Sequence, residues 1–182
     1  MEIMIVGKKH FYDHTSVIYK LISKDKKQVY MRVDQTNFRN EHRYVVMVYI
    51  YNLYKYFIEQ NNIIFDENIY ISEEEHIKEK YDRAVSLFNN SFESPVLIPV
   101  VSGWLDKILI KNLFFNNIYN EKLMVSFVNG ITRTQWLLKN NFTVCPIETD
   151  FDSINLLQKY FGIHDNKIYS VKELMKNITI QF

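Results

Sequence analysis

Glycine and proline are scarce, with four and three among 182 residues. Each is therefore punctuation, and no Gly-, Ser- or Pro-rich stretch divides the chain. A single domain is expected over 1–182: a hairpin and helix extension over 1–70, a core over 71–162, and a helix and tail over 163–182. A single cysteine, Cys145, excludes an internal disulfide and any multi-cysteine zinc site, which fits a reducing cytoplasm. Long hydrophobic runs are missing too. The most apolar stretch, Tyr44–Ile58, is broken by Asn52 and Lys55 and is too short to span a membrane. The first residues carry neither the charged nor the apolar region of a secretory leader, so a cytoplasmic protein is expected. Charge of one sign is also lacking. Twenty-two basic and 21 acidic residues leave a net charge of +1. The overall field cannot hold nucleic acid, and only a local basic patch can.

What is present favours a packed core, since hydrophobic residues make up 47% of the chain and aromatics 15%. Ala84 is the only alanine, and five arginines (Arg32, Arg39, Arg43, Arg83, Arg133) stand out against many lysines. Only arginine offers a rigid fork for phosphate or carboxylate. Met1–Val6 reads as a first strand. Ser16–Ser23 and Gln28–Asp34 read as a hairpin around the polar turn Lys24–Lys27. Over Arg39–Gln60, Val46, Ile50, Leu53 and Phe57 fall at helical spacing, while the β-branched first half suits a strand equally.

Ile71–Asn89 is expected to be a helix opened by a Ser72/Glu75 capping box, with Ile77, Tyr81, Ala84, Val85 and Phe88 as its buried stripe. Pro95 precedes a strand over Val96–Val101, and Leu105–Asn120 is expected to be mainly helix. Leu123–Val128 reads as a strand, Thr132–Lys139 as a helix, Thr143–Ile147 as a strand and Asp150–Phe161 as a helix ended by Gly162. Ser170–Lys176 reads as a last helix. The fold class is α+β.

Chemistry concentrates where the strand ends at Asn129. Gly130 lets the backbone turn sharply and approach a ligand closely. The next helix opens with unpaired N–H groups, which suit an anion. Thr132 and Thr134 add hydroxyls, and Arg133 adds a charged fork. Together Asn129, Gly130, Thr132, Arg133 and Thr134 are candidates to cradle a phosphate. Two ligand-free explanations stand beside this one. Thr132 and Gln135 match a capping box, and Arg133 is a possible ion-pair partner of a carboxylate such as Glu148.

A strand ending in Gly130-Ile131-Thr132-Arg133, then a helix, then a strand with Pro146 at its centre resembles the ParB/sulfiredoxin-like fold. That fold is a mixed sheet with flanking helices. Upstream, Lys80-Tyr81-Asp82-Arg83-Ala84, Phe88 and Ser94–Val100 resemble the helix and strand before such a site. The run Asn129–Leu138, followed by Pro146-Ile147-Glu148, is most similar to plasmid fertility inhibition factors, the Osa-like proteins. The resemblance covers roughly Lys80–Phe161 and, more faintly, the hairpin around Arg32-Val33-Asp34. Ile131 stands where sulfiredoxin carries its reactive cysteine, so sulfinic-acid repair is disfavoured. Ile131 and Thr132 replace the charged pair of the ParB turn, and no helix-turn-helix follows.

Membership of the Osa-like group would imply interference with DNA or protein transfer by a competing conjugative or type IV secretion system. Such a protein would act on a component or substrate of that system, with DNA as a further partner and a secretion-system partner able to recruit it to the inner face of the membrane. The resemblance also implies ATP hydrolysis and DNA cleavage, with ATP or another nucleotide and Mg²⁺ as cofactors. In that case Arg133 and Glu148 are the catalytic candidates, and Glu148 is the metal candidate. Asp150 and Asp152 are better read as the cap and first turn of their helix. His10, Asp13 and His14 border strands, so their faces do not converge on a metal. Two other readings stay open: a non-catalytic protein that docks on a protein partner, and a DNA-binding anti-defence or regulatory protein of a mobile element.

Overall fold

The computed structural model describes residues 2–35, 42–61, 75–113, 116–163 and 168–182. Four strands form one sheet in the order β1 (Glu2–His10), β2 (Thr15–Ile22), β3 (Gln28–Asp34), β5 (Val96–Leu97). The second sheet runs β7 (Asn116–Asn129), β6 (Val100–Leu113), β8 (Val144–Asp150), β4 (Arg43–Tyr49), β9 (Tyr169–Ser170). Among the described residues, five helices complete an α+β fold: α1 (Ile50–Gln60), α2 (Glu75–Asn89), α3 (Ile131–Lys139), α4 (Phe151–Phe161) and α5 (Val171–Asn177).

The expected hairpin is β2–β3, paired antiparallel from Ser16↔Asp34 to Ile22↔Gln28. The first strand runs on to His10, past a register shift beside Gly7. Gly7 has φ +152°, and a Cβ there would lie 2.8 Å from the Ile180 carbonyl, so the C-terminal tail can lie directly against β1.

Two expected helices are overturned in part or whole. In the first, Arg43–Tyr49 is a strand and only Ile50–Gln60 is helical. Val45, Val46 and Val48 are fully buried between β8 and β9, where β-branched side chains fit a pleated surface. This strand lies inside the second sheet, so part of the expected N-terminal extension is built into the core. In the second, Leu105–Asn120 is no helix. It belongs to the long antiparallel ribbon β6–β7, paired from Val100↔Asn129 to Leu113↔Asn116 with register shifts at Val100/Val101 and Leu109/Lys111. Trp104, Leu105, Ile108 and Leu109 are 42–46% exposed, on both faces of the ribbon. A ribbon wet on both faces has no reason to alternate polar and apolar residues, so the period-two signal is absent. The expected Ser72 cap of α2 lies outside the described residues.

Other elements agree with the local pattern. Ala84 and Phe88 bury the inner face of α2, with Tyr81 and Val85 half-buried beside them. Phe88 stacks on Trp136 of α3 at 4.1 Å between ring centroids, which ties the two helices together. The Asp150 carboxylate caps α4 by accepting from the Ser153 N–H at 2.8 Å. Gly162 ends that helix with extended backbone (φ −63°, ψ 150°) in place of the left-handed cap that glycine suggests. At α5, Ser170 and Glu173 form a complete capping box.

Position matters most for the segment between β5 and β6. Val96–Leu97 pairs in parallel with Met31–Arg32 of the first sheet, and Val100 pairs with Glu148 of the second. Ile98 and Pro99 therefore carry the chain from one sheet to the other. The turn at Gly130 sits against this crossover.

Candidate functional site

Gly130 occupies the left-handed region (φ 88°, ψ 14°) as the N-cap of α3. A Cβ at this position would meet Pro99 Cα at 2.8 Å and Pro99 Cβ at 3.0 Å. The left-handed conformation and the close approach both require glycine here. Thr132 and Gln135 do not form the expected capping box, because the cap lies two residues earlier. Gln135 instead donates from Nε2 to the Tyr54 hydroxyl at 2.8 Å.

Arg133 closes the junction. Its Nη1 donates to the Leu97 carbonyl, and its Nη2 donates to Asn129 Oδ1 at 2.8 Å. One guanidinium thus pins the sheet crossover, the end of β7 and the first turn of α3. The Leu97 carbonyl lies where the chain leaves one sheet before joining the next, and Arg133 supplies its partner. Burial pushes the Arg133 guanidinium below its ordinary value, and the like charge of Arg32 acts in the same direction.

The other expected residues divide. Asn129, Gly130, Thr132 and Arg133 line a cleft of about 650 Å³. Thr134 turns inward. It is 2% exposed, and its hydroxyl donates to the Gly130 carbonyl at 3.1 Å. Glu148 does not pair with Arg133. Its two carboxylate oxygens accept from Nε and Nη2 of Arg43 in a two-pronged ion pair joining β8 to β4. Cys145 is fully buried, and burial raises its thiol pKa well above the ordinary value, so it is an inert core residue. The histidines near the N-terminus make separate contacts. His10 Nδ1 lies 2.8 Å from Thr15 Oγ1, and His14 Nδ1 lies 2.5 Å from Asp13 Oδ1.

Three cations at the cleft were not among the expected site residues: Arg32 from β3, and Lys80 and Arg83 from α2. Arg32 donates from Nε to Asp34 Oδ1 at 2.8 Å and from Nη1 to the Pro95 carbonyl. Lys80 and Arg83 are exposed and lie three apart on α2, so they share a face and reach toward the same opening. Among the described residues, the lining holds four cationic side chains, one amide, one hydroxyl and an apolar wall that includes Leu87, Phe127 and Ile131, with no carboxylate and no imidazole. The i, i+3 spacing of Lys80 and Arg83 was a visible cue, but nothing local shows which way α2 faces.

A family model described as "PFIN: Plasmid Fertility inhibition factor" matches residues 45–162. No curated protein matches the chain. Among solved structures, the fold is similar to the crystal structure of Oncogenic Suppression Activity Protein, a plasmid fertility inhibition factor, in its gold(I) cyanide derivative. The TM-score is 0.68 at 20% identity, covering 97% of this chain and 82% of that one. At that identity the likeness shows a shared fold.

Proposed function

We propose, from the premise that this chain belongs to the plasmid fertility inhibition factor family, that it blocks transfer by a competing conjugative or type IV secretion system, and that its cationic cleft takes a nucleotide in doing so. The observation that carries the site is the cleft lining. Arg32, Lys80, Arg83 and Arg133 converge with no acidic side chain among the described lining residues, around a glycine turn that opens a helix. Like charges held together in a partly buried cleft favour a bound polyanion. A cleft of about 650 Å³ lies within the usual range for small ligands, roughly 300–1,000 Å³.

The side chains support binding better than hydrolysis. General acid–base chemistry calls for a titrating group within reach of the bond to be broken. Glu148, the expected catalytic carboxylate, is held in the fork of Arg43. The closing test is isothermal titration of ATP, CTP and GTP into wild type and Arg83→Ala, beside a conjugation assay with each variant. Saturable binding lost in Arg83→Ala, together with loss of inhibition, is the expected result. Wild type that binds none of the three sinks the nucleotide reading.

A second reading rests on the ribbon. Trp104, Leu105, Ile108 and Leu109 are exposed together, as a protein-docking element would be. Inhibition that survives cleft substitutions and fails in Trp104→Ser/Leu109→Ser favours docking. Neither reading involves a membrane span: no described helix is long and apolar enough to cross a membrane.

A further inference from the structure

The cleft departs from a Mg²⁺-nucleotide site in its donor set. A hard divalent cation takes oxygen ligands, usually with one or two carboxylates among them. Among the described residues, none lines this cleft. Two acids on neighbouring strands are engaged elsewhere: Glu148 with Arg43, and Asp34 with Arg32 Nε and the Ser16 hydroxyl, while Glu79 and Asp82 of α2 do not line the cleft. Asp150 caps α4. Among the described residues, no three His, Cys, Asp or Glu side chains are placed to hold a metal. The described residues of the cleft do not fit Mg²⁺.

The cations fall into two kinds. Arg32 and Arg133 are tied to backbone carbonyls and to acceptors beside the cleft, so they hold fixed positions. Lys80 and Arg83 are exposed on α2, and no described residue accepts a hydrogen bond from either. These two can close on an entering anion without breaking an existing contact, which lowers the cost of binding.

We propose that the cleft binds its nucleotide free of divalent metal, with Lys80 and Arg83 supplying the positive charge that Mg²⁺ brings to other nucleotide sites. Arg133 is then a structural brace whose first duty is to the sheet crossover. The inference rests on the cleft being a nucleotide site, and it predicts a sign. Mg²⁺ on the phosphates cancels charge that Lys80 and Arg83 would otherwise meet, so added Mg²⁺ weakens binding.

The test is calorimetric titration of ATP into the full chain, in EDTA and in excess Mg²⁺, with thermal melting of each variant. Wild type should bind more tightly in EDTA than in excess Mg²⁺. Lys80→Ala/Arg83→Ala should melt like wild type and bind at least about tenfold more weakly, as expected for lost charged hydrogen bonds. Arg133→Ala should melt lower than either. Binding that is unchanged or tighter in Mg²⁺ overturns the inference alone, as does a Lys80→Ala/Arg83→Ala variant that binds like wild type. An Arg133→Ala variant that melts like wild type overturns the brace. No binding by wild type in either buffer overturns the inference together with the nucleotide reading.

Discussion

Arg43 and Glu148, 105 positions apart in the chain, form a two-pronged ion pair across β4 and β8. Arg43 also donates to the Asp34 carbonyl at 3.0 Å, so the same side chain reaches toward the end of β3. The carboxylate that local sequence offers as a metal ligand thus joins strands within one sheet and, through Arg43, reaches the other.

Breaking this pair should cost stability. Both side chains are largely buried, 17% and 14% exposed, and a charge left there alone is poorly solvated. Arg43→Ala and Glu148→Ala should each lose about 2–4 kcal/mol in urea unfolding, somewhat less than a fully buried pair. The double variant should lose less than the sum of the two, because the second truncation removes the orphaned charge. An additive cycle would show that the two do not act as a unit.

Gly130→Ala should destabilise the protein by at least about 2 kcal/mol, combining left-handed strain with the clash against Pro99. Thermal unfolding measures this. A melting temperature equal to wild type would mean that the turn can relax away from the crossover.

The stack of Phe88 on Trp136 joins α2 to α3, and both side chains are 2–3% exposed. Phe88→Ala should cost about 3–5 kcal/mol. It should also weaken ligand binding at the cleft, since α2 carries Lys80 and Arg83. Phe88→Leu should recover most of the stability. Unfolding curves and titrations on the two variants separate the effects.

Alkaline pH should destabilise the fold through buried groups that must stay protonated. Burial raises both the Cys145 thiol and the Tyr19 hydroxyl above their ordinary values of 9.0 and 10.0. A raised folded value gives stability that is complete below the unfolded pKa and lost as pH rises past it. The urea midpoint should therefore fall above about pH 9, and Cys145→Val should remove the earlier part of that fall. In native buffer at pH 8 the thiol should resist alkylation that goes to completion in denaturant.

The ribbon beyond Gly103 and Val125 should be dispensable for folding. Tyr56 donates to the Leu123 carbonyl at 2.7 Å, and the Gln60 amide oxygen accepts from the Val125 N–H at 2.8 Å. Helix α1 thus secures the outer edge of β7 near the core. Replacing residues 106–121 with a two-residue turn should leave the melting temperature and the proposed nucleotide binding unchanged. A collapse of either would show that the ribbon belongs to the core.

Local sequence determined the strand–turn–helix–strand run from Leu123 to Thr149, because its signals are short-range: Gly130 at the turn, helical spacing in α3 and an apolar strand after it. It also determined the β2–β3 hairpin and the Asp150 cap, whose partners lie within a few residues. Tertiary structure decided the rest. Arg43–Tyr49 became a strand because β8 and β9 lie beside it. Leu105–Leu109 became part of a ribbon because β7 pairs with it, in place of the expected helix. The site followed the same division. The glycine turn and Arg133 were legible, whereas Arg32, Lys80 and Arg83 reach the cleft only through a sheet crossover and the packing of α2. Thr134 faces inward, and Glu148 is held by an arginine 105 positions away. Periodicity reports which residues share a face, and only long-range packing decides what that face meets.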